Sequence, residues 1–128
     1  MSQSREEWLA EMTDTLGVDR EDVLEVAAMF FDAIEARLAA IFEAQKTGNL
    51  AELTRLIHGL KGDAANIGFK STSAVARTLE TQCREGTVSD FAGQFAALQA
   101  AVQAQRQAIE PFSDAAEDSG ESSSGKPA

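Results

Sequence analysis

No proline interrupts this chain before Pro111, and the breaks that do occur are helix-capping signals. A helix interior excludes proline more strongly than any other residue, so a long proline-free stretch punctuated by Ser, Asp, Asn and Gly reads as a succession of helices. Ser4 followed by Glu7 has the spacing of a capping box and opens a short helix containing Trp8, Leu9 and Met12. Gly17 closes it. Asp19 with Asp22 caps a long helix running to about Lys46. After Thr47 and Gly48, Asn49 with Glu52 opens a third helix, which runs to about Ile67; Gly68 suits a left-handed C-cap. Ser71 or Ser73 opens a fourth, ending near Glu85 with Gly86 just beyond. Ser89 opens a fifth, which Pro111 stops.

The connections are short, so consecutive long helices should lie antiparallel. The expected fold is all-α, an up-down four-helix bundle with a short N-terminal capping helix over residues 1–112. Residues 113–128, SDAAEDSGESSSGKPA, lack apolar periodicity and are expected to be a disordered acidic tail, either a free end or the start of a linker. Composition agrees: hydrophobic residues are 44% and charged residues 25%, with no long β-branched runs.

Packing stripes at helical spacing predict the core. On the second helix Val23, Ala27, Phe30, Ile34 and Ile41 share a face, and Leu24, Phe31, Leu38 and Phe42 widen it. Most of these are expected to be buried, with a minority of the second row left for docking. The row Val75, Leu79 and Cys83 on the fourth helix, and Phe91, Phe95, Leu98 and Val102 on the fifth, read as core.

The formal net charge is −10, which disfavours phosphate backbones and anionic lipid as partners. No apolar stretch is long enough to span a bilayer, and the N-terminus lacks the form of a secretory signal. A cytoplasmic location is expected. The single Cys83 allows no internal disulfide. One His and one Cys, with no HExxH, argue against a metal site; no GxSxG, GxxxxGK[ST] or GxGxxG occurs, so neither a hydrolase serine nor a nucleotide or other cofactor site is expected. Any chemistry must be shared with another protein.

The third helix carries the informative pattern. Leu50, Leu53, Ile57, Leu60, Ala64 and Ile67 fall on one face, and His58, the only histidine, lies well off its centre. Its neighbours one turn away are Thr54, Arg55, Lys61 and Gly62. Gly59 and Gly62 each cost a helix about 1 kcal/mol relative to alanine. A bare backbone at Gly62 beside an imidazole and an ammonium suits close approach by another protein. The same residues equally describe an ordinary solvated helix face, and spacing alone does not separate the two.

The segment His58-Gly-Leu-Lys-Gly-Asp-Ala-Ala-Asn-Ile-Gly-Phe69 resembles the signature of histidine-containing phosphotransfer (HPt) domains, H-x-x-K-G-x-x-x-x-x-G, with His58, Lys61, Gly62 and Gly68 matching. The run Ala76-Arg-Thr-Leu-Glu80 is similar to the family's next helix. The resemblance implies that His58 accepts a phosphoryl group from a kinase or receiver domain and passes it to a response-regulator aspartate. It also implies that Lys61 steadies the phosphoryl oxygens and Gly62 admits the receiver. Glu80 matches the glutamate that hydrogen-bonds the imidazole in the phosphotransfer domains of chemotaxis kinases. Arg55 and Asn66 are further candidates for partner contact. The partners implied are a response-regulator receiver and a histidine kinase. A monomer is expected because the histidine must stay accessible, and an ATP-binding kinase domain is not expected in one domain of this length. Two other readings stay open: a helical adaptor without phosphoryl transfer, and an N-terminal piece of a larger chemotaxis-type kinase.

Overall fold

The computed structural model describes residues 4–109, all of whose regular structure is helical. The elements are α1 (Arg5–Leu16), α2 (Arg20–Lys46), α3 (Leu50–Asn66), α4 (Lys70–Glu85) and α5 (Phe91–Ile109). The expectations for Pro111 and for a disordered tail at 113–128 lie outside the described residues.

The helices begin and end where local chemistry satisfies their orphan backbone groups. Ser4 Oγ accepts from the Glu7 amide at 3.1 Å while Glu7 Oε1 accepts from the Ser4 amide at 3.0 Å, a complete capping box. The Asp19 and Asn49 side chains accept from the amides of Asp22 and Glu52. Gly17 and Gly86 end α1 and α4 in the left-handed conformation.

Two starts differ from expectation. Helix α4 begins at Lys70 with Phe69 as its N-cap residue and no side-chain cap, so neither Ser71 nor Ser73 opens it. Tertiary packing overrides the local signal. Phe69 is fully buried against Trp8, Phe30 and Phe31 at ring-centroid distances of 5.6, 5.2 and 5.2 Å, and this fixes where the chain turns. Ser73, already inside α4, donates to the Lys61 carbonyl at 3.3 Å. At α5, Asp90 takes the cap rather than Ser89, its Oδ1 accepting from the Gly93 amide at 3.1 Å.

Helix α2 packs on α1, α3 and α5, and α4 on α3 and α5, so α2 to α5 close a ring around one core. Paired residues show that α3 and α4 run in opposite directions: Lys61 meets Ser73, His58 meets Glu80, and Thr54 meets Cys83. Most predicted stripe residues are buried, including Val23, Phe31, Ile34, Leu53, Ile57, Leu79 and Leu98. Leu50 and Phe42 are not. Leu50 is the first residue of α3, beyond the reach of the bundle. Phe42 is half exposed and rests on Phe95 at 5.7 Å. Val75, Phe91 and Phe95 are only partly buried, at the edge of the core. Cys83 is buried, and burial pushes its thiol up from the usual range, as suits an inert core residue.

Candidate functional site

His58 sits midway along α3 with its side chain 59% exposed. The turn before α4 brings Glu80 up behind it. Glu80 lies on the edge of the α4 stripe formed by Ala76, Leu79 and Cys83, and its side chain is only 5% exposed. A buried carboxylate needs partners, and this one has three. His58 Nδ1 lies 2.7 Å from Glu80 Oε2. Lys61 Nζ lies 2.7 Å from Oε1. Arg84, one turn further along α4, donates to Oε2 from Nε at 3.0 Å and Nη2 at 2.7 Å.

These contacts decide the charge of the carboxyl group. Burial pushes its pKa up, but the hydrogen bonds from Lys61, Arg84 and His58, with the Lys61 charge, outweigh burial and hold it down at about 2. Glu80 is therefore ionised at neutral pH. An ionised carboxylate can only accept hydrogen bonds, so Nδ1 of His58 carries the proton. In the neutral ring the lone pair then belongs to Nε2, the nitrogen away from Glu80. The sequence motif placed Lys61 on the surface strip of His58; in the structure its side chain is 27% exposed and turned back onto Glu80.

Gly62 is next to this cluster, and a Cβ built on it meets nothing within 4 Å, so the space over the backbone is open. Gly68 has a structural place. Its φ is +79°, and an added Cβ would lie 3.2 Å from Trp8 Nε1 and collide with Met12 Sδ. The same indole nitrogen donates to the buried Ile67 carbonyl at 2.7 Å. Arg55 and Asn66 are not drawn into the cluster. Arg55 pairs with Glu52 on its own helix at 2.5 Å, and Asn66 ends α3, where it lines an open cleft with Lys70 and Arg77.

Arg84 was visible in the sequence only as an ordinary surface neighbour of Glu80. The signal that could have marked it is the Glu80–Arg84 spacing of four residues along one helix. Two exposed apolar residues of α2, Val26 (45%) and Met29 (63%), were also missed, because they lie off both predicted stripes. With Ala33, Arg37 and Asp63 they line a shallow groove between α2 and α3. Among the described residues no group of three or more His, Cys, Asp or Glu side chains is placed to hold a metal ion, and no helix is long and apolar enough to cross a membrane.

Fold and site together define a helical module that presents one histidine, oriented from behind by a buried carboxylate. The family model for the Hpt domain matches residues 25–108, more than half of the chain, and the chain belongs to the Hpt domain family. Its place is thus in phosphotransfer within phosphorelay signal transduction, where Hpt domains interact with kinases and response regulators. Comparisons with curated proteins and with solved structures gave no match.

Proposed function

We propose that this protein is a phosphoryl carrier that accepts the group on His58 Nε2 and hands it to the aspartate of a response-regulator receiver. One observation carries the reading: an exposed imidazole whose Nδ1 is tied to a buried, ionised glutamate at 2.7 Å, which leaves the Nε2 lone pair as the nucleophile. In the accepting step the Nε2 lone pair attacks phosphorus. The phosphorus–oxygen bond to the donor aspartate or nucleotide breaks, and its electron pair leaves with the donor. The Nδ1 proton stays on the ring, where Glu80 stabilises the charge that develops. In the forward step the receiver carboxylate attacks the same phosphorus and the neutral imidazole departs with the bond pair.

In this reading Lys61 supplies charge to the phosphoryl oxygens and the open backbone at Gly62 gives the receiver room. Arg55 and Asn66 belong to the outer contact surface, and Val26 and Met29 offer apolar area to the receiver beside it. Residues 1–112 form the functional unit, an up-down four-helix arrangement of α2 to α5 with α1 as its cap; the short connections and the ring of helix contacts support this. The donor is a receiver or histidine kinase, and the protein acts as a monomer in the cytoplasm, so that His58 stays accessible. The Glu80 hydrogen bond favours kinship with the phosphotransfer domains of chemotaxis kinases.

The test is phosphorylation. Phosphoramidate, or a phosphorylated receiver, is expected to leave an acid-labile, base-stable label on the protein. His58→Gln is expected to lose the label and keep its helical circular dichroism. A label that persists in His58→Gln refutes the assignment. Receiver binding without labelling by any donor makes the chain an adaptor instead.

A further inference from the structure

Lys61 faces two demands. In the resting site its ammonium is bonded to Glu80 Oε1 at 2.7 Å. In the phosphoryl-carrier reading, on which this inference rests, the same ammonium serves the phosphoryl oxygens on Nε2, at the opposite side of the imidazole ring. A phosphoryl group brings close to two negative charges and three strong acceptors. It therefore competes directly with Glu80 for a flexible, point-like cation. When Lys61 leaves, Oε1 loses its partner inside a site where Glu80 is only 5% exposed. A buried carboxylate stripped of a cation either takes up a proton, which leaves Oε2 a weaker, uncharged acceptor for Nδ1, or moves toward water and away from the ring.

Arg84 is placed to prevent that. Its Nε and Nη2 both reach Oε2, the same oxygen that accepts from His58 Nδ1, at 3.0 and 2.7 Å. It is four residues from Glu80 on the same helix, so its grip does not depend on α3 or on the position of Lys61. Its side chain is 58% exposed, so it contributes little to the core and its contact with Glu80 is its main engagement. The two oxygens of Glu80 are thus divided: Oε1 is served by a cation that can leave, and Oε2 by one that stays.

We propose that Arg84 is a positioning residue of the His58 site, holding Glu80 Oε2 against His58 Nδ1 while Lys61 swings from Oε1 to the phosphoryl group on Nε2. The ring then keeps one tautomer through both halves of the transfer, and the leaving imidazole always departs with its proton on Nδ1.

Lys61→Met reproduces the departed lysine without phosphorylation, which separates the inference from the carrier reading. The tautomer of the neutral His58 ring is read from its nitrogen-15 resonances in wild type, Lys61→Met, Arg84→Met and the double variant. Wild type and Lys61→Met are expected to keep a preference for the Nδ1 proton of about tenfold or more, the worth of a charge-assisted hydrogen bond. The double variant is expected to lose most of it, and Arg84→Lys in the Lys61→Met background to restore part. Phosphoramidate labelling of wild type and Arg84→Met follows in parallel, and the rate is expected to fall several-fold in Arg84→Met. A double variant that keeps the full tautomer preference overturns the inference, whether or not wild type is labelled. A preference lost as expected in a wild-type background that takes no label overturns the carrier reading alone and leaves the positioning of the ring by Arg84 standing.

Discussion

Replacing Glu80 with glutamine tests which of two opposed effects rules the site. Glu80 is almost wholly buried, and burial by itself favours losing the charge. If burial dominated, Glu80→Gln would be neutral or stabilising, as replacements of buried ion pairs often are. Three donors at 2.7 Å argue the other way, and the carboxyl group falls from its ordinary 4.5 to about 2. At about 1.4 kcal/mol per pH unit, that fall corresponds to about 3 kcal/mol of stability at neutral pH. Glutamine keeps the shape and one acceptor, and the freed Lys61, Arg84 and His58 side chains reach water. The expected loss is therefore about 1–3 kcal/mol. The sign with pH follows from the depressed folded value. The contribution is complete above about 4.5 and disappears as pH falls toward 2. Urea unfolding followed by circular dichroism at pH 7, 5, 4 and 3 measures it. The other carboxylates are common to both proteins, so the difference between wild type and variant isolates Glu80. A variant as stable as wild type at pH 7, or a gap that stays constant down to pH 3, refutes the argument that paired hydrogen bonds outweigh burial here.

Two glycine substitutions should separate function from stability. Gly62→Ala adds a Cβ that meets nothing within 4 Å and removes a helix-interior glycine, so it should stabilise the fold by about 0.5–1 kcal/mol. Phosphoryl transfer to a receiver should nevertheless slow, because the open approach beside His58 narrows; an unchanged transfer rate would show that partners do not come close there. Gly68→Ala should do the reverse. Left-handed strain at φ +79° and the clash with Met12 and Trp8 together cost about 2–4 kcal/mol, read as a lower urea midpoint. A loss below about 1 kcal/mol would mean that the turn relaxes freely.

What was legible in the sequence was local. The Ser4–Glu7 box and the Asp19 and Asn49 caps involve residues three apart, and they form in the structure as their spacing implies. Periodicity also placed His58 off the buried face, because that needs only about 100° per residue. The start of α4 was not legible. Phe69 caps it through burial among Trp8, Phe30 and Phe31, residues of α1 and α2 that are remote in sequence. Leu50 failed for a related reason: a stripe shows which face turns inward but not where the neighbouring helices end. The hydrogen bond between His58 and Glu80 spans 22 residues, and only the family resemblance pointed to it. That Lys61 turns to Glu80 could not be read at all, since it depends on a carboxylate arriving from another helix.

The arrival of that carboxylate links the fold to the site. At about 1.5 Å per residue, His58 lies roughly 12 Å before the end of α3, and Glu80 roughly 15 Å beyond the start of α4. Arms of nearly equal length, running in opposite directions from one tight turn, bring the two side chains level. Rotation must match as well as height, because one residue more or fewer in α4 would swing Glu80 by about 100° away from α3. The phase of α4 is set in the turn that leads into it, where Gly68 supplies the left-handed conformation and Phe69 locks into the aromatic cluster with Trp8. Further along, Ala76, Leu79 and Cys83 maintain it against the core. Trp8 belongs to α1, the short helix outside the ring, and its indole also ties down the Ile67 carbonyl at the end of α3. The capping helix thus has a consequence beyond covering the bundle: by fixing both sides of the α3–α4 turn, it fixes the angle at which Glu80 meets His58, and hence which ring nitrogen carries the proton.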